Sequence, residues 1–344
     1  MKVSLLDVAR LANVSKSTAS RAINNEGRVD EETKKRVLDA VQKLQYQPNR
    51  MAQSLRSRQS NVIGVLFSNL FAGHFYSEIF RGIEEHAFEN NYSLILGCSD
   101  GSEEKERKLI GAFMAQQVAG IILTPTNGFM QKNLAFLQRS NIPAVCIDRE
   151  IAQSTLDYVG TDHFCGGGLA ASHLIHAGHK SIAICLGREK DAVSIQNRLD
   201  GVKTALETHG VAYMLLEHVP DTDSKAYGYH AVMASESKMQ ERGVSAILAM
   251  SDMLAVGCMK ACENMGYTIG QGFSVIGYNN DDICDYLHVP LTTVEQPKYE
   301  IGRRAFYLLK QRMQEEPGAL KQRIILQPKL VIRNSCGEKN KGVL

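Results

Sequence analysis

The histidines of this sequence come closest to a metal-binding pattern. His173, His176 and His179 repeat at three-residue spacing, and the first two share a face of a predicted helix. Gly178 is expected to end that helix before the third histidine, and no cysteine or carboxylate stands at ligand spacing. We therefore expect no metal ion.

Two further groups could hold a phosphate or perform acid–base chemistry. The run Cys-Gly-Gly-Gly at 165–168 lacks dinucleotide-binding spacing and instead indicates a helix start packed closely on its strand. Asp281 and Asp282 follow an apolar run, where an exposed turn explains them equally well. The sequence also has no Walker, GxSxG or HExxH motif. We expect neither a cofactor nor a catalytic residue, so the chain is not predicted to be an enzyme.

Composition is that of an ordinary soluble protein of two or three domains. The 344 residues are 44% apolar and 22% charged. No apolar run reaches the ~18 residues of a membrane span, and Asp7 and Arg10 stand where a secretory signal would be apolar. The eight cysteines form no CxxC pair and lie mostly in apolar runs. These features favour a cytoplasmic location.

Charge is distributed unevenly along the chain. Residues 1–60 carry 12 Lys or Arg and 6 Asp or Glu, whereas the remaining residues carry 27 and 31. A basic head on a mildly acidic body suggests that the head meets a polyanion. A solvated charged face would give the same excess of basic residues. The arrangement of residues within the head is therefore needed to distinguish a polyanion-binding surface from an ordinary solvated one.

The head has the pattern of three short helices. Apolar residues at helical spacing over 5–12 stop at Asn13, and Ser15 is a good N-cap for a second helix over 16–24. A third helix starts near Asp30. Its apolar positions are Val37, Leu38, Val41 and Leu44. This order predicts a helix-turn-helix, with a generic three-helix bundle as the alternative.

The second helix would present a polar outer face. Lys16, Ser17, Ser20 and Arg21 lie on the side opposite Ala19. Lys and Arg can donate to guanine in the major groove, and serine hydroxyls suit phosphates or base edges.

The sequence predicts a helix of marginal stability directly after the head. It begins at Pro48-Asn49, and its short apolar stripe includes Leu55, with arginines on either side. About nine residues do not hold a helix alone in water. A leucine flanked by arginines suits kinking of the minor groove, although a plain linker fits the composition equally well.

From Asn61 on, wholly apolar runs alternate with helical stretches, which predicts parallel sheets covered on both faces. About ten such strands require two α/β lobes. Ligands in such folds bind at the carboxyl ends of strands or between lobes. The polar strand ends are Ser68-Asn69, Thr124, Asp148, Asp162, Ser251-Asp252 and Asn279-Asn280.

The runs LLDVARLANVSKSTASRAIN and YQPNRMAQSLRSRQSNVIGVLFSNL closely resemble the lactose-repressor (LacI/GalR) family of bacterial transcription regulators, and the resemblance extends from Leu5 to about Ser335. It implies a helix-turn-helix headpiece (1–48), a hinge helix and linker (49–60), and a two-lobed core (61–336) of the periplasmic sugar-binding fold. We expect an N-lobe of about 61–161 and 291–322, and a C-lobe of about 162–290 and 323–336.

The resemblance also implies functional residues. DNA contacts are expected from Lys16, Ser17, Thr18, Ser20, Arg21, Asn24, Arg50, Ala52 and Leu55. Contacts with a small effector are expected from Phe75, Tyr76, Ser77, Asp148, Asp162, Arg198, Ser251, Asn279 and Gln296. Aromatic rings beside paired donors and acceptors suit a sugar or a sugar derivative.

Three positions depart from the family's pattern. Asn279 stands where an Asp is usual, which disfavours a cationic ligand. Asp223 stands near the place of a second stacking aromatic, and Ala192 replaces an arginine of the purine-responsive branch. The chain ends at Leu344 without a leucine-heptad tail, so we expect a homodimer.

The sequence thus predicts a repressor of a carbohydrate operon that binds near-palindromic double-stranded operator DNA and is released by a sugar-like effector. A co-repressor-dependent regulator is the alternative within the family. A binding protein without DNA function would lack the basic head.

Overall fold

The computed structural model describes residues 3–24, 27, 29–46, 60–69, 74–126, 131–151, 156–217, 223–315 and 320–337. The chain divides into two compact units, Met1–Ser60 and Asn61–Leu344. Among the described residues, no helix combines the length and apolar character that crossing a membrane requires.

The first unit is built from three helices: α1 (Leu5–Leu11), α2 (Lys16–Asn24) and α3 (Glu31–Lys43). Ser15 caps α2, since its Oγ accepts from the Thr18 backbone N–H at 3.0 Å. Asn13 takes a φ of +52° in the turn. The expected helix-turn-helix is confirmed. Leu38, which the periodicity assigned to the apolar stripe, is instead 47% exposed.

In the second unit the first nine elements are β1 (Val62–Phe67), α4 (Phe75–Glu89), β2 (Ser93–Cys98), α5 (Glu103–Ala115), β3 (Gly120–Leu123), α6 (Gln131–Arg139), β4 (Ala144–Ile147), β5 (Asp157–Thr161) and α7 (His163–His176). The next seven are β6 (Ser181–Cys185), α8 (Val193–Thr208), β7 (Ala212–Leu215), α9 (Ser224–Ala234), α10 (Glu236–Glu241), β8 (Ala246–Ala249) and α11 (Asp252–Asn264). The last six are β9 (Ser274–Asn279), α12 (Ile283–Tyr286), β10 (Thr292–Glu295), α13 (Lys298–Arg312), β11 (Arg323–Leu326) and β12 (Lys329–Val331).

These strands form two six-stranded sheets, one for each lobe. The first has the order β11-β5-β4-β3-β1-β2 and the second β12-β10-β9-β8-β6-β7. Every described pairing is parallel except that of β12 with β10. Both central regions are buried on both faces by helices, as their uninterrupted apolar runs predict.

The chain passes between the lobes after β5, after β10 and after β11. Two of the expected lobe boundaries are therefore wrong. Residues 292–295, assigned above to the N-lobe, form β10 and pair with β9 of the second sheet. Residues 323–326, assigned to the C-lobe, form β11 and pair with β5 of the first sheet. The apolar residues of a four-residue strand predict that it is buried, but they do not indicate which sheet it joins.

Three helix pairs touch through a glycine on each helix: Gly82 with Gly302, Gly167 with Gly201, and Gly228 with Gly257. A Cβ on Gly167 would lie 2.0 Å from the carbonyl oxygen of Arg198, and a Cβ on Gly201 would lie 2.0 Å from that of Phe164. Only glycine fits either place. The contact fixes the start of α7 against the turn of α8 that carries Arg198.

Candidate functional site

The outer face of α2 carries cations and hydroxyls. Lys16, Ser17 and Arg21 are exposed on it, while Ala19 is buried in the headpiece core. The Ser17 and Thr18 hydroxyls each lie 2.8 Å from the Ser15 Oγ. This face can donate to the phosphates and base edges of a groove.

The remaining predicted DNA contacts stand as follows. Ser20 is half-buried on α2, and Asn24 is the last residue of that helix. Arg50, Ala52 and Leu55 lie outside the described residues.

In the second unit, polar residues gather where the strands of the first sheet end. Ser68 follows β1, Thr124 follows β3, Asp148 follows β4, and Thr161 ends β5. These four strands are neighbours in the sheet, so the residues form a row along its carboxyl edge.

An ion pair joins the carboxyl edge of the second sheet to this row, and the region between the two edges is called the cleft below. Arg149, after β4, forms an ion pair with Glu189, after β6, in which Nη2 and Oε2 are 2.5 Å apart. The Arg149 side chain is only 11% exposed. Because one partner belongs to each lobe, this pair joins the two walls of the cleft.

Six buried side-chain atoms in the described part of the chain have no hydrogen-bond partner. They are Ser68 Oγ, Thr124 Oγ1, Thr161 Oγ1, His163 Nε2, Asp281 Oδ1 and Gln296 Oε1. All belong to residues at or just after the carboxyl end of a strand, three of them in the row on the first sheet. Buried polar groups are rarely left unpaired, so this edge is suited to a ligand that supplies hydroxyl groups.

Asp148 lies in the middle of the row. It accepts a hydrogen bond from the Tyr76 hydroxyl at 2.8 Å, and its backbone has a φ of +62°, a left-handed conformation that Asp tolerates better than most residues. Burial raises the pKa of its carboxyl, while the charges of Arg149 and Arg198 act in the opposite direction. Asp148 is therefore a buried acceptor fixed by its neighbours.

Arg198 approaches the cleft from α8. Its Nε donates to His163 Nδ1 at 3.2 Å, and its Nη1 donates to the Met250 carbonyl at 2.7 Å. The guanidinium carbon lies 3.9 Å from the centre of the Tyr278 ring. The side chain is buried, and no carboxylate of the described chain is within ion-pair distance of it. Its charge is therefore stabilised by neutral partners and the ring face.

Asn279 and Gln296 meet at the ends of β9 and β10. Gln296 Nε2 donates to Asn279 Oδ1 at 2.8 Å, which leaves Gln296 Oε1 unpartnered. Asn279 has a φ of +122°, in the region that favours glycine. Such strain at a strand end is typical of binding sites.

Two predicted effector contacts serve as N-caps at strand ends. Asp162 accepts from the Cys165 backbone N–H at 2.9 Å at the start of α7. Ser251 accepts from the Leu254 backbone N–H at 3.3 Å at the start of α11.

Not every predicted effector residue joins this group. Ser77 is exposed on α4, and its hydroxyl donates to the His74 carbonyl at 2.8 Å. Phe75 is buried, with its ring centre 5.0 Å from that of Tyr76. Asp223, near the place of the absent aromatic, caps α9 through the Lys225 backbone N–H.

A cluster of buried charges lies beside the second sheet's edge. Asp281 is 2% exposed, not part of the exposed turn considered above. Its backbone N–H donates to Asp252 Oδ2 at 2.8 Å, and its Oδ1 lies 3.6 Å from Lys298 Nζ. Burial, reinforced by the charge of Asp252, raises the pKa of Asp281 to about 6.

The three spaced histidines do not converge on one point. Both ring nitrogens of His179 are bonded to serine hydroxyls, at 2.8 Å to Ser245 and 2.9 Å to Ser274. Within the described residues, no group of His, Cys, Asp and Glu has the arrangement of a metal site.

Ser68 and Thr124 were named above as polar strand ends but not among the expected effector contacts. Three other residues of this region, His163, Tyr278 and Glu189, were not predicted from the sequence. His163 and Tyr278 carried no signal, since their contact with Arg198 joins residues far apart in the chain. The ion pair between Glu189 and Arg149 likewise could not be predicted, because the two residues are 40 positions apart in the sequence.

Comparison with known proteins identifies the two units. The model of the lacI family of bacterial regulatory proteins matches residues 4–49, and that of the periplasmic binding protein-like domain matches residues 171–336. The ribose operon repressor of Haemophilus influenzae is 32% identical over 332 residues, which is 96% of this chain and 97% of that protein.

Solved structures agree. A lac repressor dimer bound to operator and an anti-inducer has a TM-score of 0.83 at 29% identity, and the match covers 97% of this chain and 99% of that one. A LacI-family regulator from Enterococcus faecium with bound ribose has a TM-score of 0.69 at 28% identity, covering 80% and 99%. The chain belongs to the lacI family of bacterial transcription regulators, with a helix-turn-helix headpiece and a ligand-responsive core.

Proposed function

We propose that this regulator is a cytoplasmic homodimeric repressor of a carbohydrate operon, released from its operator by a small neutral sugar. The observation that carries the proposal is the row of buried hydroxyls without partners on the edge of the first sheet. The related regulator with bound ribose and the related ribose operon repressor support it. The protein acts by binding and not by catalysis.

Polar contacts in the cleft favour a neutral polyol. Ser68, Thr124 and Thr161 can each donate and accept, Asp148 accepts, and Arg198 donates. This mixture matches hydroxyl groups, which also donate and accept. Asn279 offers an amide rather than a carboxylate at the second edge, which removes one attraction for a cation.

In the headpiece, Lys16, Ser17 and Arg21 are proposed to contact base edges in the major groove. Thr18, Ser20, Asn24 and Arg50 are assigned to phosphates, which fix the register on DNA without specifying sequence. Ala52 and Leu55 are assigned to the minor groove at the centre of the operator, where an inserted leucine kinks the duplex.

Coupling between effector and operator is proposed to act through the two lobes. An effector that contacts Asp148 on one lobe and Arg198 on the other draws the cleft walls together. In the dimer, movement of the N-lobes changes the spacing of the hinge segments. A coupling of about 1–3 kcal/mol would change operator occupancy about 5- to 150-fold.

The test begins with selection of genomic fragments by the full-length protein. An enriched near-palindrome beside genes for sugar use is expected. Binding to it should weaken with salt. Arg21→Ala should weaken binding and relax the sequence preference at the base that Arg21 contacts. Titration with ribose and other neutral sugars should then release the operator.

The outcomes separate the alternatives. Tighter binding on adding ligand would show a co-repressor-dependent regulator instead. Fragment binding without any enriched motif would contradict the assignment of a specific operator, and sugar conversion during the titration would contradict a purely binding role.

A further inference from the structure

We propose that His163 is a positioning residue for effector binding: its neutral imidazole holds the Arg198 guanidinium in the cleft. This inference rests on the proposed role of Arg198 as an effector contact. His163 is not among the residues that the family resemblance implied. It follows β5 at the first crossover between the lobes.

Hydrogen-bond direction fixes the form of the ring. A guanidinium has five N–H groups and no acceptor. Because Arg198 Nε lies 3.2 Å from His163 Nδ1, that nitrogen must accept, and the proton of the neutral ring must lie on Nε2. The Tyr278 hydroxyl, 3.4 Å from the same Nδ1, is also compatible with an accepting nitrogen.

The surroundings keep the ring neutral. His163 is 4% exposed. Burial and the charge of Arg198 both hold the pKa of His163 well below its usual value. A protonated ring would place a second cation against Arg198 and remove the acceptor.

Backbone contacts set the geometry of the pair. The close approach of α7 and α8 at Gly167 and Gly201 fixes the distance between the two residues. Gly166 makes room for the Tyr278 hydroxyl, which would lie 2.2 Å from a Cβ there. Arg198 is thereby clamped by the histidine, the Met250 carbonyl and the Tyr278 ring.

The clamp leaves Arg198 ready to bind. The bonds to His163 and Met250 use one N–H on Nε and one on Nη1, so at most three of the five N–H groups are available to other acceptors, with the Tyr278 hydroxyl among them. A guanidinium held in place loses less conformational freedom when an effector arrives. His163 therefore strengthens effector binding without being required to touch the effector.

The first test needs no effector. In the full-length protein with ¹⁵N-labelled histidine, the His163 ring should show the Nε2–H tautomer from pH 8 to pH 6. The Arg198 Nε–H should be protected from exchange, and His163→Leu should reduce this protection at least about tenfold. His163→Asn, whose amide oxygen can accept near the Nδ1 position, should retain it.

The second test measures function. His163→Leu should raise the ribose concentration required for half-release of the operator about 10- to 100-fold. This is the range expected for the loss of one hydrogen bond to a charged group. His163→Asn should recover most of that loss. Operator affinity without sugar should stay unchanged in both variants.

His179→Asn is the matched control. His179 is also buried in the C-lobe, and its two ring nitrogens are bonded to the Ser245 and Ser274 hydroxyls rather than to Arg198. This variant should lower the free energy of unfolding while leaving Arg198 exchange and the sugar response unchanged.

An Nδ1–H tautomer in the wild type, or equal Arg198 exchange in wild type and His163→Leu, would overturn the inference. If the NMR results hold but neither ribose nor any other sugar shifts operator binding in the wild type, the sugar-effector proposal fails while the positioning contact stands.

Discussion

Two adjacent glycines on α7 should respond in opposite ways to the same substitution. A Cβ on Gly167 would lie 2.0 Å from the Arg198 carbonyl oxygen, whereas one on Gly168 has nothing nearer than the Gly201 carbonyl oxygen at 3.9 Å. Gly167→Ala must push two helix backbones apart. Gly168→Ala should fit without adjustment.

The expected magnitudes follow from two opposing effects. Alanine is favoured over glycine inside a helix by about 1 kcal/mol, partly because it restricts the unfolded chain. At Gly168 this effect stands alone, so the free energy of unfolding should rise by about 0.5–1 kcal/mol. At Gly167 overpacking costs about 1–3 kcal/mol and more where the obstacle is backbone. We expect a net loss of about 2 kcal/mol and a difference of about 3 kcal/mol between the variants.

Urea unfolding followed by far-ultraviolet circular dichroism is the assay, since the chain has no Trp for fluorescence. The transition of the core should move in opposite directions in the two variants. Gly167→Ala should also lose sugar response under conditions where it is folded, because it displaces Arg198 from His163. Equal midpoints for Gly167→Ala and Gly168→Ala would refute the close helix contact.

Two further substitutions test the charges of the cleft. Glu189→Gln removes the carboxylate nearest the buried Arg149 guanidinium and should lower the free energy of unfolding of the core by about 1–2 kcal/mol. Glu217→Gln breaks an ion pair at the surface and should cost less than about 0.5 kcal/mol. Equal losses in urea unfolding would argue against a special role for the Arg149–Glu189 pair. Asp281 has a folded-state pKa of about 6 against an ordinary value of 3.8, so the folded state binds its proton more tightly and this stabilisation, present below about pH 4, is lost as pH rises through 6. The difference corresponds to at most about 3 kcal/mol. Asp281→Asn should therefore lose less stability than wild type between pH 4.5 and 7.5, and parallel losses in urea unfolding at those pH values would contradict this assignment.

Local patterns in the sequence were sufficient for the headpiece. The bounds of α2 follow from apolar spacing and from Ser15, because an N-cap acts on a backbone N–H only a few residues away. Leu38 is the exception. Periodicity includes it in the stripe, but three short helices leave that side of α3 exposed.

In residues 61–344, local patterns predict the elements but not how the strands pair. Alternating apolar runs predict parallel sheets and two lobes, and polar residues that end those runs mark Ser68, Thr124 and Asp148 as lining a cleft. The same runs do not show that β10 joins the second sheet and β11 the first. Burial determines which residues a strand contains, but pairing depends on the neighbours that the whole chain supplies.

The sequence by itself determined the class of the protein, its headpiece, its two-lobed core and most polar groups of the cleft, because each depends on residues close together in the chain. Only the tertiary structure decided that His163 holds Arg198, that Glu189 meets Arg149 and that Asp281 is buried. These contacts join residues 35, 40 and 29 positions apart. Helix and sheet packing brings these residues together in the folded chain. Local sequence patterns do not identify such contacts, because they depend only on residues that are close in the sequence.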